Sequence, residues 1–143
     1  MTSPIPKLDA AGVNALLRRA FPDATPSAFP TVVEVGPGRV TLMAPYREGL
    51  LRPGGVISGP TLMSLADTAA YALVLAHVGD QLMAVTSQLN MSFLRGAAPG
   101  DLHAEAELLR LGRRMAVCDV RLWTEGPHRL AAQANVTYVL PQP

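Results

Sequence analysis

The amino-acid sequence predicts an α+β fold, a curved antiparallel sheet wrapped around one long central helix. One observation is an apolar stretch over residues 60–78 with the length and composition of a helix. A second is the run of segments after it, in which apolar and polar residues alternate with a period of two, as in half-buried strands. The third is the shortness of the turns between those segments, which makes neighbouring strands antiparallel. One face of such a sheet has to be covered, and the long helix is the natural cover.

Taken in chain order, residues 8–21 (LDAAGVNALLRRAF) read as a first helix. Asp9 can cap it, and Val13, Leu16, Leu17, Ala20 and Phe21 recur at helical spacing. Arg18 and Arg19 suit its C-terminal end, and Pro22 stops it. Residues 22–30 hold three prolines and form a connector. Residues 31–46 read as two strands about a Gly36-Pro37-Gly38 turn, with Val33, Val35, Val40 and Leu42 at strand spacing. A loop rich in Gly and Pro follows over 47–59, then the long helix. The later strands are 84–95, 101–112, 114–123 and 129–140, with turns at Leu111-Gly112-Arg113 and Glu125-Gly126-Pro127. In the first of these, Val85, Leu89, Met91 and Phe93 alternate with Thr86, Gln88, Asn90 and Ser92. In the last, Leu130, Ala132, Ala134, Val136 and Tyr138 alternate with Gln133, Asn135 and Thr137. At 143 residues the chain is expected to be a single domain, with an N-terminal helix and connector over 1–30 and the sheet with its helix over 31–143.

Composition narrows the function classes. Hydrophobic residues make up 49% of the chain and charged residues only 16%, a balance that often goes with much buried surface, for which a subunit interface is one place. A net charge of +1 supplies no basic field for nucleic acid, and 5% aromatics is thin for a base-stacking platform. The single cysteine, Cys118, excludes a disulfide framework within the chain and a multi-cysteine zinc site; it reads as a small buried hydrophobe. The opening MTSPIPKLDAAG lacks the order of a signal peptide. Ser64, Asp67 and Thr68 interrupt the apolar run 60–76, which therefore falls short of a spanning helix. The chain is expected to be soluble and cytoplasmic.

Within that run one residue stands out: Asp67, a single acid among Leu, Met, Ala, Tyr and Val. Met63, Ala70, Tyr71 and Val74 neighbour it at helical spacing, and the opposite side of the helix is apolar as well. A carboxylate in such surroundings either has a satisfied structural role, facing solvent or an ion-pair partner, or is used chemically. The stretch before the helix, RPGGVISGP, bears on the choice. Gly54, Gly55 and Gly59 allow close approaches of the backbone, and Pro60 suits a first helical turn. Free N–H groups there, with the positive end of the helix dipole, can hold an anion or a developing oxyanion. Asp67 lies about two turns on, roughly 11 Å away. Acid and oxyanion site can meet on one substrate only if the site is built from two chains or a folded-back loop.

These residues carry a resemblance. RPGGVISGPTLMSLAD, followed by AVTSQLNMSFLRGAAPGDLHAEAELLRLGRRMAVCDVRL, is similar to the hotdog-fold acyl-CoA thioesterases of the phenylacetate-pathway (PaaI-like) type, over about residues 32–140. Gly55, Gly59, Leu65, Ala66 and Asp67 match the spacing of the family motif, and FLRGA (93–97) matches a strand-end pattern. The resemblance implies hydrolysis of an acyl-CoA thioester. Asp67 would be the catalytic carboxylate, as general base or nucleophile, and the Gly59 amide the donor to the thioester oxygen. Thr86 would be a hydroxyl that holds water near the acid. The resemblance further implies an acyl-CoA substrate, no metal and no cofactor other than the CoA the substrate carries. It implies a homodimer with the site at the subunit interface, and dimers paired into a homotetramer.

Two departures accompany it. Arg52 stands where the family has Asn, and Ser58-Gly59-Pro60 where it has His-Gly-Gly. Arg52 could stabilise an oxyanion, bind a CoA phosphate, or pair with Asp67 and silence it; Ser58 supplies no imidazole. These departures motivate the alternative of a hotdog protein that binds acyl-CoA without turning it over. A hotdog dehydratase would need a His with an acidic partner, and no histidine lies between Leu8 and Ala76. Asn90, on the same side of its strand as Thr86 by simple alternation, is a candidate for the pocket lining or for a solvated sheet face. Arg95, Arg113 and Arg114 are candidates for the CoA phosphates, since guanidinium suits phosphate geometry. His77, His103 and His128 have no spaced partner for a metal and read as structural or surface residues.

Overall fold

The computed structural model describes residues 3–142. Helix α1 spans Ala10–Ala20, and the Asp9 side chain caps it by accepting the Gly12 N–H at 2.9 Å. Its buried residues are Val13, Leu16 and Leu17, three of the apolar positions that the sequence spacing selects. Strands β1 (Thr31–Gly36) and β2 (Arg39–Ala44) form a hairpin across the Gly-Pro-Gly turn. A β-bulge between Val32 and Glu34 changes which side chains face inward. Val32 is buried and Val33 is 61% exposed, contrary to the plain alternation that places Val33 with Val35. The Asn14 amide holds the bulged residue, accepting from the Val32 N–H at 2.8 Å and donating to its carbonyl at 3.0 Å.

The segment 47–59 is more ordered than its composition suggests. After a 3₁₀ turn at Glu48–Leu50, β3 (Leu51–Arg52) and β4 (Val56–Ile57) pair antiparallel. Gly54 and Gly55 close this small hairpin with φ of 103° and 74°, a region other residues adopt only with strain. Helix α2 then runs Gly59–Val78. Strands β5 (Val85–Phe93), β6 (Leu102–Leu111), β7 (Met115–Trp123) and β8 (Ala132–Val139) complete a six-stranded sheet of order β1-β2-β6-β7-β8-β5, antiparallel throughout. Helix α2 packs against five of the six strands, so the α+β architecture read from the sequence is the one observed.

Small residues let helix and sheet approach closely. Ala66, Ala69, Ala70, Ala72 and Ala76 of α2 face a sheet whose inner side carries Ala104, Ala106, Ala116, Ala132 and Ala134, all fully buried. Leu73, Leu75, Leu102 and Leu122 fill the space between. By length and composition alone α2 is long and apolar enough to cross a membrane, so its polar interruptions do not shorten it below that limit. In this fold twelve of its 20 residues are buried against the sheet and α1. Near its C-terminal end His77 is buried and fully used: Nε2 accepts the Gly38 N–H and Nδ1 donates to the Leu73 carbonyl, each at 2.9 Å.

Candidate active site

The N-terminus of α2 is arranged so that one donor is left over. Ser58 is the N-cap, and its hydroxyl accepts the Thr61 N–H at 3.3 Å and meets Thr61 Oγ1 at 2.7 Å. Pro60 has no N–H, and the Ser58 N–H is taken by the Leu50 carbonyl at 2.9 Å. The N–H of Gly59 has no acceptor among the described residues. A side chain at position 59 would meet the Phe93 ring, whose Cζ lies 3.5 Å from where its Cβ would sit. The start of α2 thus lies against the end of β5.

Asp67 lies two turns further along α2, half-buried, on the side that faces β5 and β8. Two hydroxyls donate to the same carboxylate oxygen, Oδ1: Thr86 Oγ1 at 2.5 Å and Tyr138 Oη at 2.8 Å. Tyr138 Oη also lies 3.2 Å from the Asp67 carbonyl. Oδ2 has no partner among the described residues. Burial chiefly, together with the adjacent Asp67 charge, raises Tyr138 well above the usual tyrosine range, so its hydroxyl stays a donor. The Tyr138 ring stacks on Tyr71 with centroids 5.7 Å apart, and Tyr71 Oη donates to the Leu82 carbonyl at 2.8 Å.

Thr86 reaches Asp67 because of a second β-bulge, between Thr86 and Gln88. Thr86 pairs with Tyr138 on the helix-facing side of the sheet, while Gln88, Asn90 and Ser92 pair with Thr137, Asn135 and Gln133 on the outer side. Simple alternation puts Asn90 on the side of Thr86. The bulge reverses this, and Asn90 faces outward, away from Asp67.

The remaining candidates are scattered. Arg52 is exposed and its Nε reaches only the carbonyl of Pro53, at 3.3 Å; it makes no ion pair with Asp67. Gly55 lies in the exposed β3–β4 turn, with open space where a side chain would be. Ser58 spends its hydroxyl on the helix cap. Arg95 is exposed just after β5 and donates to the Leu130 carbonyl at 3.1 Å. Arg113 and Arg114 occupy the β6–β7 turn, at the other end of the sheet, so one chain does not bring the three arginines onto one phosphate group. They line an open cleft of about 600 Å³ with Lys7 and His77, and no carboxylate side chain lies among its lining residues.

Tyr138 is the site residue that the sequence reading does not single out. The available signal is a hydroxyl on the apolar side of the last strand, since a buried tyrosine needs a partner for its O–H.

Comparison with known proteins follows the same lines. The thioesterase superfamily model matches residues 54–131, more than half of the chain and the part that contains α2, β5, β6 and β7. A Saccharolobus solfataricus protein named "putative esterase SSO2140" is 30% identical over 103 residues, 72% of each chain. The crystal structure of a Silicibacter protein named "putative thioesterase" superposes with a TM-score of 0.85 at 37% identity, covering 96% of this chain and 94% of that one. A Ralstonia eutropha structure, named as a "putative thioesterase, phenylacetic acid degradation-related protein", gives a TM-score of 0.74 at 28% identity, covering 88% and 99%.

Proposed function

Because the chain belongs to the thioesterase superfamily, we propose that its substrate is an acyl-CoA thioester, which it hydrolyses to a free carboxylic acid and CoA. The observation that carries this reading is the half-buried Asp67 carboxylate, with one oxygen unengaged, on the helix whose N-terminus leaves the Gly59 N–H unengaged. As general base, Asp67 takes a proton from water while the water oxygen bonds to the thioester carbon. The C–S bond then breaks, and the CoA sulfur leaves with the proton. As nucleophile, the carboxylate bonds to that carbon itself while the C–S bond breaks and CoA leaves as its thiolate; water then opens the anhydride, which frees the acid, returns the Asp67 carboxylate and gives the thiolate a proton. The Gly59 N–H and the helix dipole polarise the carbonyl in either route. Thr86 borders the place of the attacking water. Arg113 and Arg114 serve the nucleotide phosphates, supported by a cleft with no carboxylate side chain in its lining. The scheme uses no metal, and CoA arrives with the substrate.

The same reading requires two chains. Gly59 and Asp67 are eight residues apart on one helix, about 12 Å along its axis, too far to hold one carbonyl between them. Strand β5 supports an answer. It is a nine-residue sheet edge without a proline or a charge, the devices that normally protect an edge. Val85, Phe93 and the flanking Met83 and Leu94 are all more than half exposed. Pairing β5 with a second copy about its midpoint, Leu89, sets one copy's Phe93 end beside the other's Thr86 end. Gly59 lies against Phe93 and Asp67 is bonded to Thr86, so the partner's Gly59 would come to face Asp67.

The test is free-thiol release from short, medium, long and aromatic acyl-CoAs. The wild type is expected to release CoA from at least one class, and Asp67→Asn to lose about 10²- to 10⁴-fold of that rate. Absence of release, with acyl-CoA still raising the melting temperature, would replace the enzyme by a non-catalytic acyl-CoA-binding protein.

A further inference from the structure

We infer that Tyr138 is a positioning residue for Asp67: it commits Oδ1 of the carboxylate and leaves Oδ2 as the reacting oxygen. The inference rests on the reading of Asp67 as the acid that acts on the thioester, and it adds which oxygen acts and what holds it.

Lone pairs carry the argument. Each carboxylate oxygen has about two acceptor sites. Thr86 Oγ1 and Tyr138 Oη both donate to Oδ1, which fills them. An oxygen so occupied is poorly placed to take a proton from water or to attack a carbonyl carbon. Oδ2 has no donor among the described residues, so its lone pairs are the ones available. Rotation of the carboxylate, which would exchange the two oxygens, has to break both hydroxyl contacts at once.

Tyr138 is the rigid half of this clamp. Thr86 stands at the bulge of an exposed edge strand, whereas Tyr138 is 4% exposed on β8, which is paired on both sides. Its ring is stacked on Tyr71, and the Tyr71 hydroxyl is tied to Leu82 beyond the end of α2. Its own hydroxyl lies within 3.2 Å of both the side chain and the main-chain carbonyl of Asp67. One tyrosine therefore fixes the carboxylate relative to the helix that carries it.

Tyr138→Phe keeps the ring and its stacking and removes only the donor. With the acyl-CoA that the wild type cleaves best, the variant is expected to lose about 10- to 100-fold in kcat, with KM changed little, since misplacement of about 1 Å costs that much. The split between kcat and KM is the readout that a merely structural role would not give, since a loosened core would disturb binding and stability as well. Thr86→Val tests the other half without touching the core. The double variant should lose less than the product of the two single effects, as both act through Oδ1. A folded Tyr138→Phe that keeps its kcat overturns the inference while the hydrolase reading stands. If Tyr138→Phe does not fold, the wild type is crystallised with an uncleavable thioether analogue of that acyl-CoA, and an Asp67 whose hydroxyl-bound oxygen is the one that faces the acyl carbon overturns the inference. A wild type that cleaves no thioester overturns the hydrolase reading, and this inference with it.

Discussion

Cys118 shows how far burial alone sets chemistry at the scale of one residue. It is fully buried on β7, and burial pushes its thiol up to about 12. The thiolate is the reactive form, so in the folded protein this cysteine should resist labelling by thiol reagents near neutral pH and react once denatured. The sign of the pH effect follows. The unfolded thiol releases its proton at roughly 8.5, while the folded one holds it. The stability that goes with this burial is intact below that pH and is lost as pH rises through the folded value. Denaturant melts should therefore show the wild type losing more stability than Cys118→Ala between about pH 7 and about pH 10. Parallel losses would refute this account. Tyr71 and Tyr138, both raised chiefly by burial, act in the same direction and remain in both proteins. Cys118 is legible as an inert hydrophobe from its place in an alternating strand. Tyr138 is not legible as a site residue, because alternation says which side it faces and not what its hydroxyl meets.

At the scale of elements, packing between α2 and the sheet depends on small side chains on both surfaces. Ala134 is fully buried on β8, between Gln133 and Asn135, which face outward. Ala134→Leu inserts volume where helix and sheet already touch, and should cost about 1–3 kcal/mol in chemical denaturation. Asn135→Leu, one residue along on the exposed side, should change stability by no more than about 0.5 kcal/mol. Equal effects at the two positions would mean that the sheet does not seat on α2 as described. Strand identity and facing were readable from period-two alternation along β8 and along β6 as far as Leu108. The three bulges, the third of them between Leu108 and Arg110 on β6, were not readable. At Val32–Glu34 and Thr86–Gln88 an extra residue shifts the parity, so Val33 turns outward, Thr86 turns inward and Asn90 turns away from Asp67. A bulge is a fault in strand pairing, and a single strand's sequence carries no record of its partner's register.

At the scale of the whole molecule, the two edges of the sheet differ in a way that matters for assembly. The β1 edge has a bulge, carries Glu34, and is flanked by Pro30 and Pro37. The β5 edge has none of these apart from the bulge beside Thr86, and leaves its apolar residues in the open. If β5 joins two copies about Leu89, a lysine one residue from the midpoint sets two like charges near each other across the axis. Asn90→Lys lies on the outer side, so Asp67, Thr86 and Tyr138 are untouched. Sedimentation should show the wild type as a dimer or larger, and this variant shifted towards monomer with CoA release falling in step. A monomeric variant with full activity would show that one chain completes the site.

The sequence by itself determined the class of fold, the cap and buried face of α1, the extent of α2 and the lone acid within it. All of these follow from local rules: helical spacing, strand alternation, capping and turn chemistry act over a few residues. The tertiary structure alone decided which groups surround Asp67. Thr86 and Tyr138 are separated from it by 19 and 71 positions, and they meet it because β5 and β8 pair beside α2 in one particular register. It also separated Arg95 from Arg113 and Arg114, and left the Gly59 N–H unengaged. Contacts between distant segments depend on register and close packing, and neither is written in the periodicity of any one segment.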